Sequence, residues 1–131
     1  MDISSLVEPK AAGAGATTAF LTSAFGLAVA FAVRGLFGWS NGGTAALATV
    51  FVAFGCMLGG FRAGLGAPQA PLTNGAAAAL IAGLSISLAQ RLISGNGVRV
   101  VALIFVAFLS ASLGVFGAMV ANNSRRLRAG R

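Results

Sequence analysis

The sequence predicts an all-α integral membrane protein, a four-helix bundle running up-down-up-down, and three observations predict it. Four uncharged windows, 11–33, 35–61, 63–90 and 100–124, hold 23, 27, 28 and 25 residues. Each is long enough for the roughly 20 residues that cross a hydrocarbon core. The breaks between them have turn chemistry. Charged residues make up 8% of the chain and hydrophobic ones 57%, whereas a water-soluble domain carries roughly 25% charged residues. A soluble bundle needs one polar face per helix, and these windows have none. Strands are excluded because alternation is absent and the runs exceed strand length.

The first element is an N-terminal tail, 1–12, which is acidic at Asp2 and Glu8. A cleavable signal peptide would start basic and carry a shorter apolar run, so helix 15–37 reads as a retained signal anchor. Gly38-Trp39-Ser40-Asn41-Gly42-Gly43 turns the chain into a second helix, 43–62. Pro68 and Pro71, with Gly64 and Gly66, separate it from a third, 73–93. Ser94-Gly95-Asn96-Gly97 is a tight turn into the fourth, 98–121, and 122–131 is a basic tail. The four helices thus form one bundle spanning 13–121.

Lys and Arg beside the spans set the orientation. With the N-terminus inside, Lys10, Arg62, Arg125, Arg126, Arg128 and Arg131 lie on the cytoplasmic side and Arg34, Arg91 and Arg99 outside. Six against three places both termini in the cytoplasm. Trp39 suits the outer interface. The basic run Arg125, Arg126, Arg128 and Arg131 reads as an anchor on anionic lipid rather than a nucleic-acid site, because it follows an apolar helix directly. Eight Arg to one Lys, with abundant Ala and Gly, suggest a high-GC bacterial genome such as an actinobacterium, and hence the bacterial inner membrane.

Two internal echoes stand out. Phe51-Val52-Ala53-Phe54 recurs as Phe105-Val106-Ala107-Phe108, 54 residues later, and Leu58-Gly59-Gly60-Phe61 resembles Leu113-Gly114-Val115-Phe116. They read either as a duplicated helical hairpin, with parallel repeats about an axis normal to the membrane, or as chance matches in an Ala/Phe/Val/Gly alphabet. Small residues also recur at helical spacing in every span: Ala19, Ser23, Gly26 and Ala30; Thr44, Ala48, Gly55 and Gly59; Gly75, Ala79, Gly83 and Ser87; Ser110, Gly114, Gly117 and Ala121. In lipid, such faces let helix backbones approach. Gly55-x-x-x-Gly59 and Gly60-x-x-x-Gly64 are literal association motifs. With Gly83, Gly114 and Gly117 they form the predicted packing faces, open to use within the bundle or against a partner.

The missing residues exclude much chemistry. There is no His and no Tyr, and the only acidic side chains are Asp2 and Glu8. Paired carboxylates, metal sites and activated nucleophiles therefore cannot be assembled. Cys56 reads as a small buried hydrophobe. No catalytic residue, cofactor or metal is expected. Arg34, Arg62 and Arg91 lie near helix C-termini, where the dipole favours a cation. Arg34, Arg91 and Arg99 face no acid of their own chain, so lipid phosphate, a partner's carboxylate or an anion would compensate them. Gln90, beside Arg91, is placed to donate to the same ligand.

The linker contains Gly59-Gly60-Phe61-Arg62-Ala63-Gly64 and then Thr73-Asn74-Gly75. Arg62 is placed to bind the carbonyls ending helix two, and Thr73 or Asn74 to cap helix three. Over this central hairpin the chain resembles a family of small, uncharacterised bacterial four-helix membrane proteins, which share a Gly-Gly-x-x-Ala-Gly helix end and an Asn-Gly or His-Gly opening. The resemblance implies the four-span fold and no activity. The leading functional expectation is a non-catalytic accessory or assembly subunit of a larger membrane complex, with lipid and other membrane subunits, or copies of itself, as partners. A small homo-oligomeric channel or transporter for an anion or small solute is the alternative, and a holin-like pore former a third class.

Overall fold

The computed structural model describes residues 7–93 and 100–130. Among these the chain forms four helices: α1 Pro9–Phe37, α2 Asn41–Gly66, α3 Pro71–Ile93 and α4 Val100–Ala129. All four are long and apolar enough to cross a membrane. At 1.5 Å per residue the shortest, of 23 residues, is about 35 Å long, more than a hydrocarbon core of roughly 30 Å.

Five described boundaries differ from the sequence reading, among them the end of α2, which runs through Gly64 to Gly66, and the start of α3 at Pro71. α1 begins six residues earlier, with Pro9 at its first position, where a missing N–H costs nothing. α2 begins at Asn41 because Ser40 caps it, accepting the Gly43 N–H at 3.2 Å. α4 runs eight residues further, so Asn122–Ala129 forms its last turns rather than a separate tail. Charge does not end a helix at headgroup depth, and the uncharged windows therefore marked the lipid-buried stretch rather than the helix. At the end of α1, Gly38 takes the left-handed conformation, φ 65°, and returns its N–H to the Arg34 carbonyl, a geometry that needs glycine. The Asn96-Gly97 turn, Arg99 and Arg131 lie outside the described residues.

The helices form a four-sided bundle in which α1 packs on α2, α2 on α4, α4 on α3 and α3 on α1. α2 and α3 meet across its short diagonal. Among the described residues α1 and α4 do not touch. An axis normal to the membrane that exchanged α1 with α3 and α2 with α4 would require an α1–α4 contact wherever α2 meets α3. The parallel two-fold expectation is therefore corrected: the hairpins lie side by side, α1 next to α3 and α2 next to α4.

Within each hairpin, however, the packing register is the same. Gly15 lies against Gly59 and Ala63, Ala19 against Gly59, and Ser23 against Gly55. In the second hairpin Gly75 lies against Gly114 and Ala118, Ala79 against Gly114, and Ser110 against Gly83. Adding 60 to each α1 number and 55 to each α2 number generates the second set from the first. The Leu-Gly-x-Phe echo obeys that shift. The Phe-Val-Ala-Phe echo is one residue out of register, which turns it by about 100° around the helix.

Between the hairpins a second seam forms where Gly60 faces Gly114, Gly64 faces Ala118, and Gly117 faces the backbone of Met57 and Phe61. All seven glycines named from the sequence therefore pack inside the bundle. None remains as a spare face for a partner. Large apolar side chains point outward, among them Phe25, Phe105 and Phe108. Outward hydroxyls are satisfied by their own helix: Thr17, Thr49, Ser112 and Ser124 each donate to the carbonyl four residues back, at 2.8–2.9 Å. Lipid, which offers no partner, tolerates a hydroxyl on those terms.

Candidate functional site

The bundle has two unlike ends. At the end carrying the chain termini, backbone lies on backbone: a β-carbon added to Gly59 would sit 2.6 Å from the Gly15 carbonyl oxygen, and one on Gly75 2.7 Å from that of Gly114. Towards the end carrying the α1–α2 connection the glycine seams thin out, and two cavities open beside the α2–α3 contact.

The larger cavity, about 560 Å³, lies among α1, α2 and α3. Its polar lining is Arg34 from the last turn of α1, Asn41 and Thr44 from the first turn of α2, and Gln90 near the end of α3. Leu27, Ala30 and Phe31 of α1 and Ala45 and Ala48 of α2 supply the apolar remainder. The smaller cavity, about 340 Å³, lies among α2, α3 and α4, and reaches down to Cys56, Ser110 and Leu113. Ala45, Ala48 and Gln90 line both. Gln90 therefore stands on the ridge between them.

The hydrogen-bond inventory of the larger cavity favours an acceptor ligand. The hydroxyl proton of Thr44 is already given to the Ser40 carbonyl, at 3.1 Å. Of the residues lining the space, the exposed Arg34 brings donors only, and the exposed Asn41 and Gln90 bring amides that can donate or accept. The only described acid, Glu8, lies at the opposite end of α1, 26 residues or about 39 Å from Arg34 along the helix, far beyond a Debye length of about 8 Å. Among the described residues nothing gives Arg34 a counter-charge.

The structure thus joins two of the predicted contacts, Arg34 and Gln90, in one cavity. It does not join Arg91, which is half-buried and lines neither space. Asn41 and Thr44 complete the site and were not picked out as ligands from the sequence. Thr44, Ala48, Ser87 and Ser110 had been read as packing stripe, and here they line cavities. Spacing shows which face a residue occupies but not whether a helix covers that face.

At the termini end the sequence assignments of Arg62, Arg125, Thr73 and Asn74 change. Arg62 does not bind the carbonyls ending α2; it is exposed and lines a shallow pocket with Glu8 and Lys10. Arg125 takes that place, donating from its guanidinium to the Gly64 carbonyl, so it is not free to act as a lipid anchor as Arg126 and Arg128, both exposed, can. Thr73 is exposed and caps nothing. Asn74 is not the N-cap either, because α3 starts at Pro71. It is 1% exposed and ties helices together: its amide donates to the Ala70 carbonyl at 2.8 Å, and its oxygen accepts the Glu8 backbone N–H at 2.7 Å. Among the described residues no group of His, Cys, Asp and Glu is placed to hold a metal.

In comparison with known proteins, the chain matches no protein-family model, no curated protein and no solved structure.

Proposed function

We propose that this chain is a non-catalytic multi-pass membrane protein that binds an anionic group, of phosphate type, in the cavity at its connection end. The observation that carries the reading is that Arg34, Asn41 and Gln90, from three helices, line one cavity with no acid among the described residues near it. This favours the solute-handling alternative over the accessory-subunit expectation. That expectation was drawn from the lack of reactive side chains, the many packing faces and the absence of a soluble domain, and its named glycine faces are used inside the bundle. The smaller cavity ends at Cys56, Ser110 and Leu113, where the glycine contacts of Gly55 and Gly83 already close the bundle. A channel or holin-like lesion would therefore require several assembled copies. With both termini in the cytoplasm of a bacterium, the cavity faces outward.

The test uses protein in phosphatidylcholine nanodiscs, with the fluorescence of Trp39, the only tryptophan, as reporter. Trp39 packs beside Gly43, next to the cavity residue Thr44. Inorganic phosphate and short-chain phosphatidic acid are titrated separately. At least one is expected to perturb Trp39 saturably, with the apparent affinity falling 10- to 100-fold in Arg34→Gln. That range corresponds to loss of a charged hydrogen bond, about 1.5–3 kcal/mol. Absence of any saturable response, or an unchanged affinity in Arg34→Gln, would falsify the reading.

The subunit reading keeps one supporting observation: α1 and α4 stand at opposite corners with their outward faces uncovered. It expects a second membrane protein to co-purify in stoichiometric amount from mild detergent. Recovery of this chain alone counts against it.

A further inference from the structure

We infer that the ligand of the larger cavity is the headgroup of an anionic, phosphate-bearing lipid that enters sideways from the bilayer, rather than a free anion arriving from water. The inference rests on the anion-binding reading above and narrows it to one chemical class.

Depth is the first argument. α1 has 29 residues and is about 44 Å long, so it outruns a hydrocarbon core of roughly 30 Å at its ends. Arg34, three residues from its last residue, therefore lies at headgroup level, where lipid phosphates are concentrated. Asn41, in the first turn of α2, lies at the same end.

Access is the second. The cavity is walled by α1, α2 and α3. α4 packs on the far side of α2 and α3 and does not reach α1. The side between α1 and α3 therefore faces the bilayer. The glycine contact between these helices, Gly15 against Ala78, is at the termini end, 19 residues or about five turns of α1 from Arg34.

The lining is the third. From the polar mouth at Arg34 and Asn41 the wall continues inward as Phe31, Leu27 and Ala48, with Gln90 about two turns below Arg34. A hydrated free anion gains nothing from that surface. An amphiphile does: its phosphate oxygens meet guanidinium and amide donors, while the first methylenes of its chains cover apolar wall. Charge complementarity selects the sign, since Arg34 has no counter-charge among the described residues and a zwitterionic lipid brings its own cation.

Quenching of Trp39 by dibrominated acyl chains separates the outcomes. Protein in phosphatidylcholine nanodiscs receives a small, equal mole fraction of brominated phosphatidylglycerol or brominated phosphatidylcholine, and inorganic phosphate is titrated in a parallel arm. The expected result is about tenfold preferential association of phosphatidylglycerol, falling towards parity in Arg34→Gln while gel filtration and circular dichroism stay unchanged. Equal quenching by the two lipids, with saturable binding of inorganic phosphate, overturns the lipid assignment and leaves the anion site standing. No selectivity and no phosphate response overturns both. Selectivity that persists in Arg34→Gln assigns the effect to general surface charge and also overturns the inference.

Discussion

Replacing Gly60 with valine is expected to open the bundle while leaving its helices intact. The first added carbon would land on the Gly114 carbonyl and α-carbon, and main-chain atoms yield only if α2 parts from α4. Overpacking costs about 1–3 kcal/mol where side chains can adjust, and here they cannot. Helices inserted in lipid or detergent keep their backbone hydrogen bonds when tertiary packing fails, so far-UV circular dichroism will barely change. Cys56 supplies the readout, because it is 1% exposed beneath the seam. In mild detergent it should react rapidly with a thiol reagent in Gly60→Val but only after addition of SDS in the native chain. Gly13→Ala is the control: nothing stands within 4 Å of its new β-carbon, and the native protection should persist. Protection of Cys56 in Gly60→Val would show that the seam is not tight.

Asn74→Leu is the second large effect, and it should be local. The substitution removes the acceptor of the Glu8 N–H and the donor to the Ala70 carbonyl, and it strands groups at the edge of an apolar core. A loss of about 2 kcal/mol is expected. Hydrogen exchange across the first two turns of α1 should accelerate roughly 30-fold, while exchange around Arg34 and Asn41 stays as in the native chain. Uniform acceleration would mean that Asn74 supports the whole bundle rather than the docking of α1 onto α3.

The sequence reading reached the spans because apolar length and missing charge need no partner to be visible. It reached the seven glycines because spacing of three, four or seven assigns a helix face. Leu58-Gly59-Gly60-Phe61 against Leu113-Gly114-Val115-Phe116 holds more than a repeat, and only the fold reveals it. Gly59 and Gly114 do the same work inside their hairpins, whereas Gly60 joins the hairpins and Val115 occupies the matching place on α4. Gly64 likewise corresponds to Met119. The α4 positions that match the glycines joining the hairpins thus carry valine and methionine. Which helices would be neighbours, and so which small residues pack and which line cavities, was not legible. Thr44 and Gly55 share a stripe in the sequence, yet α1 closes over only one end of it. Arg62 and Arg125 were exchanged for a similar reason: reach along one helix is readable, and reach between helices is not.

Site-directed labelling with a membrane-impermeant maleimide in intact cells tests the central claim, that lipid rather than water covers the outer surface of this bundle. Single cysteines are placed in a Cys56→Ala background. Phe54 and Phe108 are 53% and 70% exposed on the isolated chain, but maleimide needs a hydrated thiolate. The account predicts that Phe54→Cys and Phe108→Cys stay unlabelled until detergent is added, that Ser40→Cys labels from outside, and that Gly130→Cys labels only after permeabilisation. Labelling of Phe108→Cys as fast as Ser40→Cys in intact membranes would contradict it.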